Sequence, residues 1–285
     1  MKRELTKDKL VERSIITKFR QSIWAPFIHA IKQYKLIQPN DKIAVCISGG
    51  KDSFLLAKLM QNLHSFSDVP FDIEYIVMNP GYTEANKNKI IENAKLLNIP
   101  IKMFETNIFE VADNTIKNPC YLCARMRRGS LYKYAQDLGC NKIALGHHLN
   151  DAVETTLIAM FYGSQLQGMP PKLNSTNFPG MQLIRPLYRI LEEDIKAWVK
   201  YNDLSFLRCA CKLTEKNEVE ELSTSKRLEI KNLIRRLKET NPMIEYNIFN
   251  SLHQVNLDTF VAYKSAGEYI DLMDVADQKI HKKDN

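Results

Sequence analysis

The chain has no uninterrupted apolar run near the roughly 20 residues that a membrane-spanning helix requires, so no membrane segment is expected among its 285 residues. Its first stretch, MKRELTKDKLVERS, is charged and has no apolar core. It does not read as a secretory signal, and the expected location is the cytoplasm. No Gly-x-x-x-x-Gly-Lys-Ser/Thr string occurs, which excludes the Walker A form of phosphate loop. Internal repeats and low-complexity tracts are absent too. Cysteine is sparse, six in all. Structural disulfides are rare in the cytosol, so these six read as core residues, metal ligands or reactive thiols. Charge is only mildly unbalanced, at +7. That suits a polyanionic partner without identifying one.

Against those absences stands one short string, Ser48-Gly49-Gly50-Lys51-Asp52-Ser53, directly after the apolar run Ile43-Ala44-Val45-Cys46-Ile47. The run reads as a buried strand, and Phe54-Leu55-Leu56-Ala57 as the opening of a helix. Two glycines remove the Cβ atoms from the turn that joins them. Several backbone N–H groups and a helix N-terminus then point at one spot, beside a lysine and two hydroxyls, which is an anion site suited to phosphate. A plain strand–helix turn is the bland alternative. The hexapeptide resembles the PP-loop of the ATP pyrophosphatases, which split ATP between the α and β phosphates.

The rest of the chain alternates in the same way. Residues Leu10–Leu36 read as helical, and Pro39-Asn40-Asp41 breaks the chain before the first strand, Lys42–Ile47. Strands are then expected at Phe71–Met78, Ile101–Glu105 and Lys142–Leu145, with helices over Ser53–Leu63, Asn86–Leu97, Ile108–Asn114, Tyr121–Leu138 and Ala152–Phe161. Repeated βα units of this length predict an α/β fold with a doubly wound, mostly parallel sheet and its ligand at the carboxyl ends of the strands. Past Gly163 the pattern changes. Gly168-Met169-Pro170-Pro171 and Pro179-Gly180 mark a long loop, Met181–Ile184 a last strand, and Glu192–Tyr201 a helix. Leu204–Leu207 is strand-like, Ser223 can cap a basic helix running to about Glu239, and Pro242 opens a last long helix. The domain boundaries follow: an N-terminal helical segment over 1–40, an ATP-binding domain over 41–215, and a C-terminal helical extension over 216–285.

Three clusters bear on chemistry. Cys120-Tyr-Leu-Cys123 stands at a helix start, where the helix dipole favours thiolates. By itself a CxxC is shared by zinc, iron–sulfur and dithiol sites. No second CxxC follows, but Cys209 and Cys211 do. Three thiolates that leave one position open suit a cluster that acts on something, whereas a closed structural site takes four. Cys46 and Cys140 read as packing residues. Leu145-Gly146-His147-His148-Leu149-Asn150-Asp151 follows the fourth strand and faces the same crevice as the PP-loop. Gly146 allows close backbone approach, while His147 and Asp151 are placed to reach phosphate and magnesium. The alternative is a solvated histidine pair. Arg125, Arg127 and Arg128 follow the CxxC and suit phosphate-backbone contact. Lys226, Arg227, Lys231, Arg235, Arg236 and Lys238 spread around their helix and read as a solvated face.

Together these features resemble the tRNA 2-thiocytidine synthetase family of PP-loop enzymes. The resemblance rests on SGGKDS at 48–53, Cys120-Tyr-Leu-Cys123, residues 145–151, Met160-Phe-Tyr-Gly163, Gly168-Met-Pro-Pro-Lys172 and Arg185-Pro-Leu187. It covers roughly residues 40–215. It implies a [4Fe-4S] cluster on Cys120, Cys123 and Cys209, with Cys211 an open alternative because the family shows a second CxxC there. It implies ATP held by Ser48, Gly49, Gly50, Lys51, Asp52, Ser53, Met78, Gly146 and His147, with Lys51, Asp52 and Asp151 catalytic and Mg²⁺ on Asp52 or Asp151. The implied activity is thiolation of C2 of a cytidine in the tRNA anticodon loop. Its partners are tRNA and a donor of sulfide or desulfurase-derived sulfur, and a homodimer is compatible with it. Asn150 departs from the aspartate common in the family, which puts one magnesium-facing carboxylate in question. The rival readings are a 2-thiouridine synthetase, a cluster-free PP-loop ligase or amidotransferase, and a non-catalytic tRNA-binding protein. The neighbouring thiouridine enzymes resemble this chain but carry terminal zinc-binding CxxC pairs that it lacks.

Overall fold

The computed structural model describes residues 5–106, 108, 119–207 and 226–273, without the side chains of residues 119–124. Six strands form one sheet: β1 (Asp41–Ile47), β2 (Phe71–Asn79), β3 (Ile101–Glu105), β4 (Lys142–Ala144), β5 (Lys172–Asn174) and β6 (Gln182–Ile184), in the spatial order β3-β2-β1-β4-β6-β5. All neighbours are parallel except the edge pair β5–β6. β1 is apolar on both faces because helices cover both, as parallel sheets require. The order reverses between β1 and β4, and the crevice that such a reversal opens lies at the strands' carboxyl ends.

The crossover helices are α3 (Lys51–Phe66), α4 (Glu84–Leu96), α5 (Pro119–Asp137) and α6 (Leu149–Gly163). α3 buries residues around most of its circumference, Ser53 to Leu56 and Ala57 to Met60 among them, since it lies between the sheet and the N-terminal helices. Thr83 caps α4 by accepting from Asn86 N.

Four expectations are corrected. The single N-terminal helix is broken into α1 (Lys7–Ile16), a π-helical turn (Arg20–Trp24) and α2 (Ala25–Gln33). Pro26 has no N–H to donate to the carbonyl four residues back, and the wider turn sends Phe19, Ile23 and Phe27 into one core. β5 forms where the sequence predicts a loop; it is three residues long and largely exposed, so it carries no apolar alternation. Leu204–Leu207 is extended but joins no sheet: Leu207 N donates to Gly49 O (3.2 Å), and Phe206 stacks on Phe54 with ring centroids 5.2 Å apart. Beyond α7 (Glu192–Tyr201) and α8 (Lys226–Thr240), the expected last long helix is the short α9 (Ile244–Ser251), followed by a hairpin of β7 (Ala262–Ser265) and β8 (Glu268–Asp271). Ala266 and Gly267 both have positive φ, the two-residue turn that antiparallel strands favour. The helix expected over Ile108–Asn114 and the Ser223 cap lie outside the described residues, Ile108 excepted. No helix among the described residues is long and apolar enough to cross a membrane.

Candidate active site

The PP-loop turn is closed by its own last hydroxyl. Ser53 Oγ donates to Gly50 O (2.9 Å) and accepts from Ser48 N (3.2 Å), and Ser48 Oγ lies 3.3 Å away. Gly49 takes φ +90°, a conformation costly for any residue with a Cβ, and Gly50 is the N-cap of α3. Across from this turn Gly146 lies against the backbone of Asp52 and Ser53, so close that a Cβ there would stand 3.1 Å from Asp52 C.

Between these elements is a cavity of about 380 Å³. Ser48, Asp52, Ser53, Met78, Gly146, His147 and Asp151 line it, and all were expected at the nucleotide or metal site. Arg127 and Arg128, about one turn past the CxxC on α5, line it too, as does Cys46, which is both a packing residue and part of the wall. Burial pushes the Cys46 thiol far up, and the Cys140 thiol to about 11, so neither is a ready nucleophile.

The site's charges divide into an anion-attracting and a cation-attracting part. Asp52 Oδ1 is buried with no hydrogen-bond partner among the described residues, and Asp52 faces the cavity. An orphaned carboxylate oxygen beside a phosphate cradle fits a bound cation. Asp151 Oδ2 accepts from His148 N (3.0 Å), fixing the first turn of α6. Asp151 Oδ1 lies 3.6 Å from Arg227 Nη1. His147 is held neutral down to about pH 4, first by burial and then by Arg185, and its Nδ1 has no partner among the described residues. Arg185 is itself buried, its guanidinium donates to Pro170 O, and its backbone N–H donates to Pro171 O (2.9 Å). It thereby pins the Gly168–Pro171 segment beside the site.

Lys51 stands elsewhere. Its ammonium lies 3.1 Å from Glu192 Oε1 and 3.2 Å from Asp52 Oδ2, and it does not line the cavity. Burial opposes its charge, but those two carboxylates more than offset it and its pKa is raised. Asn150 also turns away from the cavity: its Nδ2 donates to Glu245 Oε1 (2.5 Å) and its Oδ1 accepts from Glu192 N (2.8 Å). It ties α6, α7 and α9 together and does not line the cavity. The basic helix α8 is solvated over much of its face, with Lys226, Arg227, Arg235 and Arg236 exposed, but three of its cations also pair with acids of other helices. Arg227 Nε approaches Glu154 Oε2 (3.2 Å), Lys231 approaches Glu154 and Glu192, and Lys238 joins Glu193 and Glu245, each at 2.7 Å. Burial raises Glu154 to about 7 despite Lys231 and Arg227.

The backbone puts Cys120 and Cys123 in the first turn of α5, three residues apart and so on one side of the helix. Their side chains, and all of Cys209 and Cys211, lie outside the described residues, among which no three metal-ligating groups converge. Reading by residue type missed Glu192. Three consecutive acids at a helix start signal a dipole partner, not an acceptor for the PP-loop lysine.

The chain matches a family model for the PP-loop domain over residues 22–216. The tRNA-cytidine(32) 2-sulfurtransferase of Burkholderia cenocepacia is 35% identical over 232 residues, covering 79% of this chain and 67% of that protein. The protein of the same name from Herminiimonas arsenicoxydans is 34% identical over 229 residues, covering 79% and 70%. The chain thus spans about two thirds of the length of these relatives. The solved U34-tRNA thiolase from Methanococcus maripaludis, with its [4Fe-4S] cluster, superposes with a TM-score of 0.63 at 20% identity, over 83% of this chain and 78% of that one. At that identity the likeness is one of fold.

Proposed function

We propose, on the premise that the chain belongs to the tRNA 2-thiocytidine synthetase family of PP-loop proteins, that it is an ATP-dependent tRNA sulfurtransferase acting on a cytidine of the anticodon loop. The observation that carries this reading is the cavity at the sheet's reversal point. It combines a glycine phosphate turn, an orphaned Asp52 oxygen and two arginines on the helix that begins with the CxxC.

The chemistry follows from the acceptor. The C2 carbonyl of cytidine is amide-like and its oxygen a poor leaving group. Attack of that oxygen on the α-phosphorus of ATP breaks the α–β bridge, releases pyrophosphate and leaves C2 bonded to AMP. Sulfide then adds to C2 and AMP departs with the oxygen, so no oxidant or reductant is consumed. Charge builds on the departing pyrophosphate, which the N–H groups of residues 48–53 are suited to neutralise, joined by the Lys51 ammonium once it leaves Glu192. Asp52 and Asp151 are the carboxylates suited to hold Mg²⁺ there. Neutral His147 offers a hydrogen bond without adding charge. Cys120, Cys123 and Cys209 would hold a [4Fe-4S] cluster, which supplies an iron free of protein ligands where sulfide can bind. Arg127 and Arg128 fit the acceptor's phosphates.

The test is iron and acid-labile sulfide per chain on protein purified without oxygen, followed by nucleoside analysis of tRNA incubated with ATP, magnesium and sulfide. About four of each per chain and new 2-thiocytidine are expected. Zinc or no metal, with tRNA unchanged, favours the cluster-free ligase. New 2-thiouridine favours the other thiolase.

A further inference from the structure

The lysine of the phosphate loop does not line the cavity, and Glu192 is where its ammonium goes. Glu192 is the first residue of α7, and the bond from its backbone N–H to Asn150 Oδ1 (2.8 Å) anchors it against α6 independently of its side chain. One carboxylate oxygen takes Lys51 at 3.1 Å. The other takes Lys196 at 3.0 Å and stands 3.8 Å from Lys231 of α8. Glu192 is pulled down to about 2 although burial opposes it, with Lys196, Lys51 and Lys231 responsible. Three ammonium groups therefore share one carboxylate, and only one of them belongs to the phosphate turn.

That sharing has an energetic consequence. Removing a single partner from a buried ion pair is costly because it strands the other charge. Glu192 is protected from this, since Lys196 and Lys231 stay on it when Lys51 leaves. Asp52 is next to Lys51 in sequence and moves with the same helix start. The Lys51 ammonium is thus charged, half-buried and held by a carboxylate that can release it without being stranded.

We propose that Glu192 is a positioning residue for the phosphate site. It holds Lys51 on the α7 side of the loop, outside the cavity, and competes with an incoming triphosphate for that ammonium. The proposal rests on the ATP reading of the cavity. It makes the resting chain a weaker triphosphate binder than its PP-loop alone would be. It also places Lys231 of α8 where it can weaken Glu192's hold on Lys51, since two cations on one carboxylate attract a third less strongly.

The test is the dissociation constant for Mg-ATP, without tRNA and at fixed ionic strength, because surface charges are screened by salt. Glu192→Gln keeps the side-chain shape and removes the competing charge. It should bind Mg-ATP about fivefold more tightly, equivalent to ~1 kcal/mol for a partly exposed ion pair. Glu193→Gln removes the same charge one residue along, from a carboxylate that pairs with Lys238 and not with Lys51, and should leave the constant unchanged. In a Lys51→Met background the Glu192→Gln gain should vanish, because the cycle isolates the pairwise term. Weaker or unchanged binding by Glu192→Gln overturns the proposal, as does a gain that survives in Lys51→Met or appears equally in Glu193→Gln. A wild-type chain that binds no Mg-ATP overturns the nucleotide reading itself and this proposal with it.

Discussion

Gly146→Ala adds one methyl at the point where the loop after β4 touches the start of α3. Its Cβ would stand 3.1 Å from Asp52 C, 3.2 Å from Ser53 N and 3.3 Å from Asp52 O. Favourable separations between such atoms begin near 3.5 Å, so the two elements must part by a few tenths of an ångström. All three opposing atoms are backbone, and Ser53 Oγ locks that backbone through Gly50 O and Ser48 N. No flexible side chain can yield instead. Overpacking of this kind costs about 1–3 kcal/mol, which in a domain of this size lowers the melting temperature by roughly 3–9 °C. Because the displaced backbone is the phosphate turn, Mg-ATP affinity should fall about tenfold as the N–H groups lose their aim. The assay pairs thermal unfolding with calorimetric titration of Mg-ATP. Gly129→Ala is the control: it lies within α5, has no heavy atom within 4 Å of an added Cβ and no positive φ, so it should stabilise by up to ~1 kcal/mol. A Gly146→Ala protein with wild-type melting and wild-type ATP affinity would refute the close approach as the reason for glycine there.

Asn150→Asp brings a carboxylate against Glu245 Oε1, where an amide now donates at 2.5 Å. It should destabilise by about 1–3 kcal/mol in urea unfolding and add no magnesium affinity; tighter magnesium binding would contradict the outward geometry. Cys120→Ala should abolish iron content and tRNA thiolation while Mg-ATP binding stays at the wild-type level, and a variant that keeps its cluster disproves the ligand assignment. Glu192 has its folded pKa depressed to about 2, so its contribution is present above the ordinary glutamate value and is lost as pH falls through 4.5 towards 2. Wild type should exceed Glu192→Gln by about 1–2 kcal/mol near pH 6, after allowance for solvent screening. That gap should close by pH 2; a gap constant with pH is the contrary result.

Legibility in the sequence followed the range of the interactions involved. β1, β3 and α7 are continuous or strictly periodic patterns bounded by turn residues, and the structure has them within a residue of expectation. Elements that depend on partners were not legible. β5 exists because β6 offers it an edge, and the N-terminal helix breaks where Pro26 and the core's demand for Phe19, Ile23 and Phe27 coincide. The hairpin β7–β8 carried a readable signal in Ala266-Gly267, outweighed by the helical run that precedes it. At the site, local motifs located Ser48–Ser53, Gly146, His147 and Asp151, since a glycine turn and a strand-end loop declare themselves by residue type. Pairings of polar and charged groups distant in sequence declared nothing: Glu192 on Lys51, Asn150 on Glu245, and Arg227 on Asp151 and Glu154.

The division has one physical origin. Backbone conformation and helix dipoles act over a few residues, so the sequence by itself determined that a strand would deliver a phosphate-binding turn onto a helix and that a CxxC would open another. Charge–charge contact acts through space and takes no account of chain separation. Only the tertiary structure decided that the loop lysine rests on α7 outside the cavity, that Asn150 ties three helices together, and that Arg227 and Lys231 of the basic helix pair with acids of α6.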